Sequence, residues 1–104
     1  MPSFSVLSRC LILLVLAGTG LAACTTAPVQ EMSNARQAIK AAREAGAASA
    51  APQSLTEAEA LLSRAEDNLQ RRAYRDARRD AIAARGKATE ALYTVHANDR
   101  NGSG

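Results

Sequence analysis

The sequence predicts an all-α fold, a short helical bundle within a chain of 104 residues. Two observations favour this fold. Alanine, which has the highest intrinsic helix propensity, supplies 21 of the residues that follow position 24. Apolar side chains recur at spacings of three and four, the period of a helix with one buried face. The length allows one small domain and excludes most multidomain enzymes.

Residues 1–23 have the composition of a secretory signal peptide. Arg9 and the amino terminus give a weak positive charge, and an apolar run of 12 residues follows at positions 10–21. This run is too short to cross a bilayer core of about 30 Å as a helix, and it fits the apolar region of a signal peptide. The run ends in Leu-Ala-Ala-Cys at positions 21–24, which resembles the bacterial lipobox.

Cys24 is the predicted lipidation site. In the pathway that the lipobox resembles, the mature chain begins at this cysteine and carries three acyl chains. One chain holds a protein to a membrane only marginally, whereas three hold it stably. Thr25, rather than an aspartate, follows the cysteine, which favours an outer-membrane location facing the periplasm. Because Cys10 leaves with the signal peptide, we expect no disulfide.

The first helix is expected to begin near Gln30, where Glu31 complements the helix dipole. Its apolar positions share one face. They are Met32, Ala35, Ile39, Ala42 and Gly46. We expect this helix to end near residues 47–48, because a run of small residues and then Pro52 follow.

A second helix is expected at Ser54, which stands with Glu57 in the spacing of a capping box. Its narrow apolar seam consists of Leu55, Ala58, Leu62, Ala65 and Leu69, broadened by Leu61. After this seam the phase slips to Ala73, Ala77, Ala81, Ala84, Ala88, Ala91 and Val95. The slip has two interpretations, a stutter in one helix of about 40 residues or a turn near residues 71–73. Since neither Gly nor Pro marks a turn there, local propensity favours the continuous helix.

The predicted organisation has three parts after the signal peptide. Residues 24–29 form a lipidated tether, residues 30–97 an alanine-rich helical domain, and residues 98–104 a polar, disordered tail. The helical part contains few large apolar side chains. We therefore expect a bundle of marginal stability that gains from self-association or from a partner.

An ordered pattern of small residues runs from Val29 to about Leu92. It comprises Glu31, Ala35, Ala38-Ile39, Ala41-Ala42, Ala45-Gly46-Ala47, Ala51-Pro52, Leu55-x-x-Ala58, Leu62-x-x-Ala65 and Tyr74-x-x-Ala77. The Ala-Pro-x-x-Leu-x-x-Ala and Tyr-x-x-Ala steps, in this order behind a lipobox, are its most specific part. The pattern resembles the domain of unknown function 4398 family of small proteobacterial lipoproteins.

That resemblance implies a compact array of about three antiparallel helices, akin to one tetratricopeptide-like hairpin with an extra helix. It places the start of a third helix at Tyr74, after a turn that usually carries a glycine. In this chain Arg72-Ala73 occupies the turn. The family name assigns no activity.

Catalytic and metal-binding patterns are not found in the sequence. His96 is the only histidine, and no second histidine or free cysteine completes a ligand set. The carboxylate pairs Glu57/Glu59 and Glu66/Asp67 do not face one another on a helix. There is no glycine-rich phosphate loop and no nucleophile motif. We therefore expect no enzymatic activity, no metal and no cofactor.

The arginines form the one candidate binding surface, for an anionic ligand. The candidates are Arg64, Arg71, Arg78 and Arg85, which recur every seven residues, together with Arg75. On a continuous helix they would form a stripe able to hold lipid headgroups or cell-wall carboxylates, and on a broken helix the stripe splits. The favoured interpretation is a solvated face with internal ion pairs. The expected pairs are Asp67–Arg71, Arg72–Asp76 and Lys40–Glu44.

These features together predict a non-enzymatic outer-membrane lipoprotein whose helical domain is a periplasmic interaction or structural module for a protein partner. One alternative is self-association through the alanine seam. Another is an envelope protein that binds peptidoglycan or anionic lipid through the arginine face. Nucleic acid is not expected as a partner, because of the location and because aromatic stacking platforms are absent.

Overall fold

The computed structural model describes residues 26–102, and this part of the chain contains four helices and no strand. The helices are α1 (Val29–Glu44), α2 (Ala47–Ala50), α3 (Pro52–Gln70) and α4 (Tyr74–Gly102). None of them is long and apolar enough to cross a membrane. The predictions for the signal peptide and for Cys24 concern positions outside the described residues.

The three long helices form a short antiparallel bundle around two apolar clusters. One cluster joins Met32 and Ala35 of α1, Ala65 of α3, and Ala81 and Ala84 of α4. The other includes Ile39 and Ala42 of α1, Leu55 and Ala58 of α3, and Ala88, Ala91 and Val95 of α4. From the first cluster to the second, residue numbers rise along α1 and α4 and fall along α3. Helices α1 and α4 are therefore parallel, and α3 is antiparallel to both.

This topology gives the bundle two distinct ends. The start of α1 and the turn between α3 and α4 lie at one end, which we call the tether end. Helix α2 lies near the opposite end, where Ala47 and Ala51 join the second cluster. Helix α4 packs more extensively against α1 and α3 than these two pack against each other. The central element of the fold is thus α4.

Alanine forms most of the interface between the helices, and the predicted apolar faces are confirmed. Helix α4 buries its seam completely at five alanines, namely Ala77, Ala81, Ala84, Ala88 and Ala91, and almost completely at Val95. On α3, Leu55, Ala58 and Ala65 are buried, while Leu62 and Leu69 pack against the clusters from the side. Because a methyl group is the largest side chain at most contact points, the helix backbones approach closely.

The first helix ends earlier than the sequence predicts. Helix α1 stops at Glu44, and Gly46 is exposed with a φ of 94°, in the left-handed region. Glycine adopts this conformation without a steric cost and commonly ends a helix there. The expectation that Gly46 continues the buried face is therefore wrong, and Ala47 occupies the core in its place.

The predicted capping box at the second helix is also wrong. Helix α3 begins at Pro52 rather than Ser54, with Ala51 as its N-cap and no side-chain cap. Proline suits the first helical position, because its φ is already helical and its missing N–H would have had no partner there. Ser54 instead lies inside the first turn.

Of the two interpretations of the phase slip, the turn at residues 71–73 is confirmed, since it separates α3 from α4. The continuous helix that local propensity favours is not formed. The Ala73 N–H donates to the Asn68 carbonyl at 2.8 Å and the Arg72 N–H to the Leu69 carbonyl at 3.0 Å. These two bonds form a Schellman motif, with Arg72 in the left-handed region at a φ of 61°. The turn lets α4 fold back so that its seam and that of α3 bury each other, which a continuous helix would prevent.

An Arg72→Gly substitution is expected to stabilise the domain by about 1 kcal/mol, because a side chain in the left-handed region crowds its own backbone. The measurement is the midpoint of urea unfolding at unchanged slope. Arg71→Gly is the matched control, since Arg71 has a φ of −81° and gains nothing from glycine. Equal or lower stability of Arg72→Gly would show that no strain is stored at this turn.

The expected disordered tail is helical over most of its length. Helix α4 continues to Gly102, and the Asn98 side-chain amide lies 3.5 Å from the Ala50 carbonyl oxygen, to which it donates. Extending an existing helix gains one backbone hydrogen bond for each residue fixed, whereas starting a new helix is costly. Polar residues with no special helix propensity therefore continue α4 beyond its last buried residue, Val95.

Candidate functional site: the arginines of α3 and α4

Asp80 is the only buried charged residue within residues 26–102, with 1% of its surface exposed. Arg64 of α3 donates two hydrogen bonds to its carboxylate, from Nε to Oδ2 at 3.0 Å and from Nη2 to Oδ1 at 2.8 Å. Asn68, one turn along α3, donates to Oδ2 at 2.9 Å. The three side chains join α3 to α4 beside the first apolar cluster. Arg64 is therefore part of an interhelical ion pair instead of an open anion site.

The charge of the Asp80 carboxylate is stabilised by its partners. The hydrogen bonds from Arg64 hold the pKa of Asp80 below its ordinary value, although burial alone would raise that pKa. The nearby guanidinium of Arg79, 3.8 Å from Oδ1, acts in the same direction as Arg64. The same hydrogen bonds raise the pKa of Arg64. Asp80 is thus ionised at neutral pH and helps to hold the helices together.

Arg78 holds the beginning of the described chain against α4. Its Nε lies 3.3 Å from a carboxylate oxygen of Glu31, and its Nη2 donates to the Thr26 carbonyl at 3.2 Å. Both charged side chains are about one-third exposed. Arg78 therefore fixes the residues that precede α1 at the tether end.

The remaining candidates, Arg71, Arg75 and Arg85, are exposed and form no ion pair with any residue of 26–102. The predicted pairs of Arg71 with Asp67 and of Arg72 with Asp76 are not formed. Asp76 instead meets Arg79 at 3.3 Å, while the predicted Lys40–Glu44 pair is present at 3.9 Å. The five candidate arginines therefore do not make one stripe.

Three arginines surround the turn between α3 and α4, and we call them the arginine tip: Arg71, Arg72 and Arg75. All three are exposed. Arg71 caps the carboxyl end of α3, where a positive charge is favourable, but Arg75 lies in the first turn of α4, where it opposes the helix dipole. The tip thus concentrates positive charge at one end of the bundle, although the dipole of α4 disfavours the charge of Arg75.

A family model described as Domain of unknown function (DUF4398) matches residues 30–101. The chain belongs to the DUF4398 family. No curated protein and no solved structure matches the chain. The match confirms the family that the sequence resembles, and it covers α1 through almost all of α4 in this DUF4398 domain.

Three of the four carboxylates in the pairs Glu57/Glu59 and Glu66/Asp67 meet a basic side chain in the DUF4398 domain, and Asp67 does not. Glu59 lies 2.9 Å from Arg43, and Glu66 lies 3.5 Å from Arg36. Glu57 lies 3.2 Å from Lys87, whose ammonium group lowers the pKa of Glu57 through a hydrogen bond. These contacts join neighbouring helices at the surface, where such pairs stabilise only weakly.

Potential metal ligands are not grouped in the described part of this DUF4398 chain, where no cluster of three His, Cys, Asp or Glu side chains occurs. His96 is exposed on α4 and borders a shallow depression with Thr89, Leu92 and Tyr93. Among residues 26–102, the side chains that line the depression all belong to α4. No acid, base or nucleophile from another described helix lines it with His96.

Sequence reasoning missed Asp80, although a signal for it exists. Asp80 stands three residues after Ala77 and four before Ala84, on the face that the alanine spacing marks as buried. A lone carboxylate on such a face requires a partner, since an unpaired buried charge is costly. The identity of that partner depends on how α3 folds back on α4, which the spacing does not specify.

Proposed function

We propose that this DUF4398 protein is a non-enzymatic, lipid-anchored protein of the outer membrane whose helical domain is a periplasmic interaction or structural module. The observation that carries the proposal is the lipobox-like Leu-Ala-Ala-Cys at positions 21–24 behind an apolar run. Helix α1 begins at Val29, so only four residues separate Cys24 from a folded bundle. An anchor at Cys24 would hold this bundle directly at the membrane surface.

The interior of the bundle supports a role other than catalysis. Its two clusters are apolar, and the carboxylate buried beside them accepts hydrogen bonds from Arg64 and Asn68. The polar groups inside the domain thus join helices to one another. What the domain offers to a partner is its outer surface.

The alanine seam is not offered as a surface for self-association. Each of its alanines on α4 is fully buried within a single chain. A second copy would have to contact another face of the molecule. We therefore favour binding of a periplasmic partner over self-association as the function of the helical domain.

Replacing Cys24 with alanine is expected to abolish incorporation of labelled palmitate and to release the protein from the membrane fraction, because the acyl chains supply the attachment. The measurement is labelling in cells, followed by separation of outer and inner membranes on a density gradient. The wild-type protein is expected in the outer-membrane fraction.

Cys10→Ala is the matched control, because it removes the other cysteine of the chain and leaves the predicted lipobox unchanged. This variant is expected to incorporate palmitate like the wild type. Labelling that persists in Cys24→Ala, or a wild-type protein that fractionates with the cytoplasm, would contradict the proposed anchor.

A further inference from the structure

We propose that the arginine tip binds the anionic phospholipid headgroups of the membrane that carries the anchor. The bundle then stands on this membrane with the α3–α4 turn facing the lipid. The inference rests on the proposed anchor at Cys24 and goes beyond it, since it assigns an orientation and a second point of contact. The positions, charges and backbone of the tip carry the argument.

The tip lies at the end of the bundle from which the anchor would emerge. Arg78, one turn after Arg75 on α4, hydrogen-bonds to the carbonyl of Thr26 and pairs with Glu31. One residue, Thr25, separates Thr26 from Cys24, so the Cα atoms of residues 24 and 26 are at most about 7 Å apart. A lipid attached at Cys24 is therefore held at the same end of the bundle as the tip.

The three arginines of the tip form no ion pair with a carboxylate among residues 26–102, unlike five other arginines of the domain. Five others each lie within ion-pair distance of an acidic side chain: Arg36, Arg43, Arg64, Arg78 and Arg79. Arginine presents a planar fork of donors that matches phosphate oxygens. The guanidinium groups without an ion pair are thus of the type that suits a phosphodiester headgroup. Three of these groups lie at the tether end.

Two arginines of the tip are energetically unfavourable at the positions that they occupy. Arg72 occupies a left-handed position that glycine would fill without strain. Arg75 places a positive charge in the first turn of α4, where the helix dipole disfavours it. Each of these arginines is unfavourable at its backbone position and gains no ion pair within the described domain in return. Such residues point to a contact with a ligand outside the domain. Here that role requires positive charge at the turn.

An exposed apolar side chain accompanies these charges. Val29, the first residue of α1, is 71% exposed at the tether end. At a membrane surface an exposed apolar side chain contacts the boundary between headgroups and acyl chains. The tether end thus combines cationic and apolar contacts, as an interfacial surface requires.

The experiment uses the lipidated protein reconstituted into vesicles of phosphatidylcholine alone or with phosphatidylglycerol. Because Cys24 is acylated and Cys10 removed, a Gln70→Cys substitution gives a single thiol beside the tip, and Ser49→Cys gives one at the opposite end. Both positions are exposed. A fluorophore on each thiol reports contact with a quencher attached to lipid headgroups.

We expect the label at position 70 to be quenched at least about threefold more strongly than the label at position 49 in vesicles with phosphatidylglycerol, and this excess to fall in 1 M salt, where the Debye length is about 3 Å. Arg75→Gln is expected to reduce the excess, and Arg71→Gln with Arg75→Gln to remove it. Arg85→Gln, an exposed and unpaired position further along α4, is the matched control and should leave it unchanged.

Co-flotation of the protein with the vesicles separates the two proposals. A protein that does not float with the vesicles overturns the anchor. A protein that floats, but whose label at position 70 responds equally to both lipid compositions, overturns the lipid contact of the tip and leaves the anchor intact. Salt-sensitive binding to isolated peptidoglycan that is lost on replacing Arg71 and Arg75, without a response to phosphatidylglycerol, overturns the tip proposal in favour of the cell wall.

Discussion

An Ala84→Leu substitution is expected to lower the free energy of unfolding by about 3 kcal/mol, a large fraction of the stability of a small domain. Ala84 is fully buried in the first cluster, together with Met32 of α1 and Ala65 of α3. Three added carbon atoms have no space between helices that meet through methyl groups. They would force α4 away from both neighbouring helices at once.

Ala41→Leu is the matched control, because Ala41 is exposed on α1 and the same side chain there extends into solvent. The measurement is urea unfolding followed by circular dichroism at 222 nm, with thermal midpoints as a second readout. We expect Ala41→Leu to stay within about 0.5 kcal/mol of the wild type. If Ala84→Leu is as stable as the control, the helices are not as closely packed as the structure indicates.

Removing the Arg64 guanidinium from its ion pair with the buried Asp80 carboxylate is expected to destabilise the domain more than removing the negative charge of Asp80. Arg64→Met leaves the Asp80 carboxylate buried with only Asn68 and the more distant Arg79 as partners. Asp80→Asn keeps the shape of the side chain and leaves Arg64 in contact with water, so we expect a loss of about 1–2 kcal/mol. Arg85→Met, at an unpaired exposed arginine, should be neutral.

The pH dependence of these variants distinguishes the charge from the packing. Because the pKa of Asp80 is lower in the folded than in the unfolded state, its stabilising effect is complete above an unfolded pKa of about 3.9 and is lost as the pH falls through the folded value. The difference in stability between wild type and Asp80→Asn should therefore begin to shrink below about pH 4. The deficit of Arg64→Met should shrink on acidification, as its buried carboxylate takes up a proton.

Unfolding at pH 7 and at pH 3, monitored by circular dichroism, provides the measurement. Equal stability of Arg64→Met and wild type at pH 7 would contradict a structural role for the pair. A constant difference between wild type and Asp80→Asn at both pH values would show that the carboxylate charge does not contribute, and that shape alone matters at this position.

The faces of the helices were predictable because burial follows the helical period. Ala35 and Ile39 on α1, like Ala81 and Ala84 on α4, stand at spacings that place them on one side of a helix whatever the partner is. The family resemblance also placed the start of the last helix at Tyr74, where the structure has it. The apolar faces depend on local sequence alone, whereas the start of α4 came from the resemblance.

The errors arose where two local signals competed. Ser54 and Glu57 have the spacing of a capping box, but Pro52 fits the first helical position. Helix α3 therefore begins two residues before Ser54. At the α3–α4 turn, Arg72 adopts a conformation that arginine rarely takes, so the residue type gives no signal. The turn forms because it lets two apolar seams bury each other, which is a tertiary effect.

The arginine site could be predicted only as a set of residues. A heptad spacing placed Arg64, Arg71, Arg78 and Arg85 together on the assumption of one unbroken helix. Because the chain reverses between α3 and α4, Arg64 pairs with Asp80, 16 residues away in sequence. Arg78 pairs with Glu31, 47 residues away. Which arginines remain available thus depends on contacts between segments far apart in sequence.

The length of α4 also determines how far the opposite end of the bundle lies from the membrane. A helix of 29 residues extends about 43 Å at a rise of 1.5 Å per residue, and it starts at the end proposed to face the lipid. In that orientation the side chains around Asn98 stand about 35 Å above the headgroups. A partner that meets the far end of this rod is therefore held at a set distance by rigid backbone, where a flexible linker would allow a range of distances.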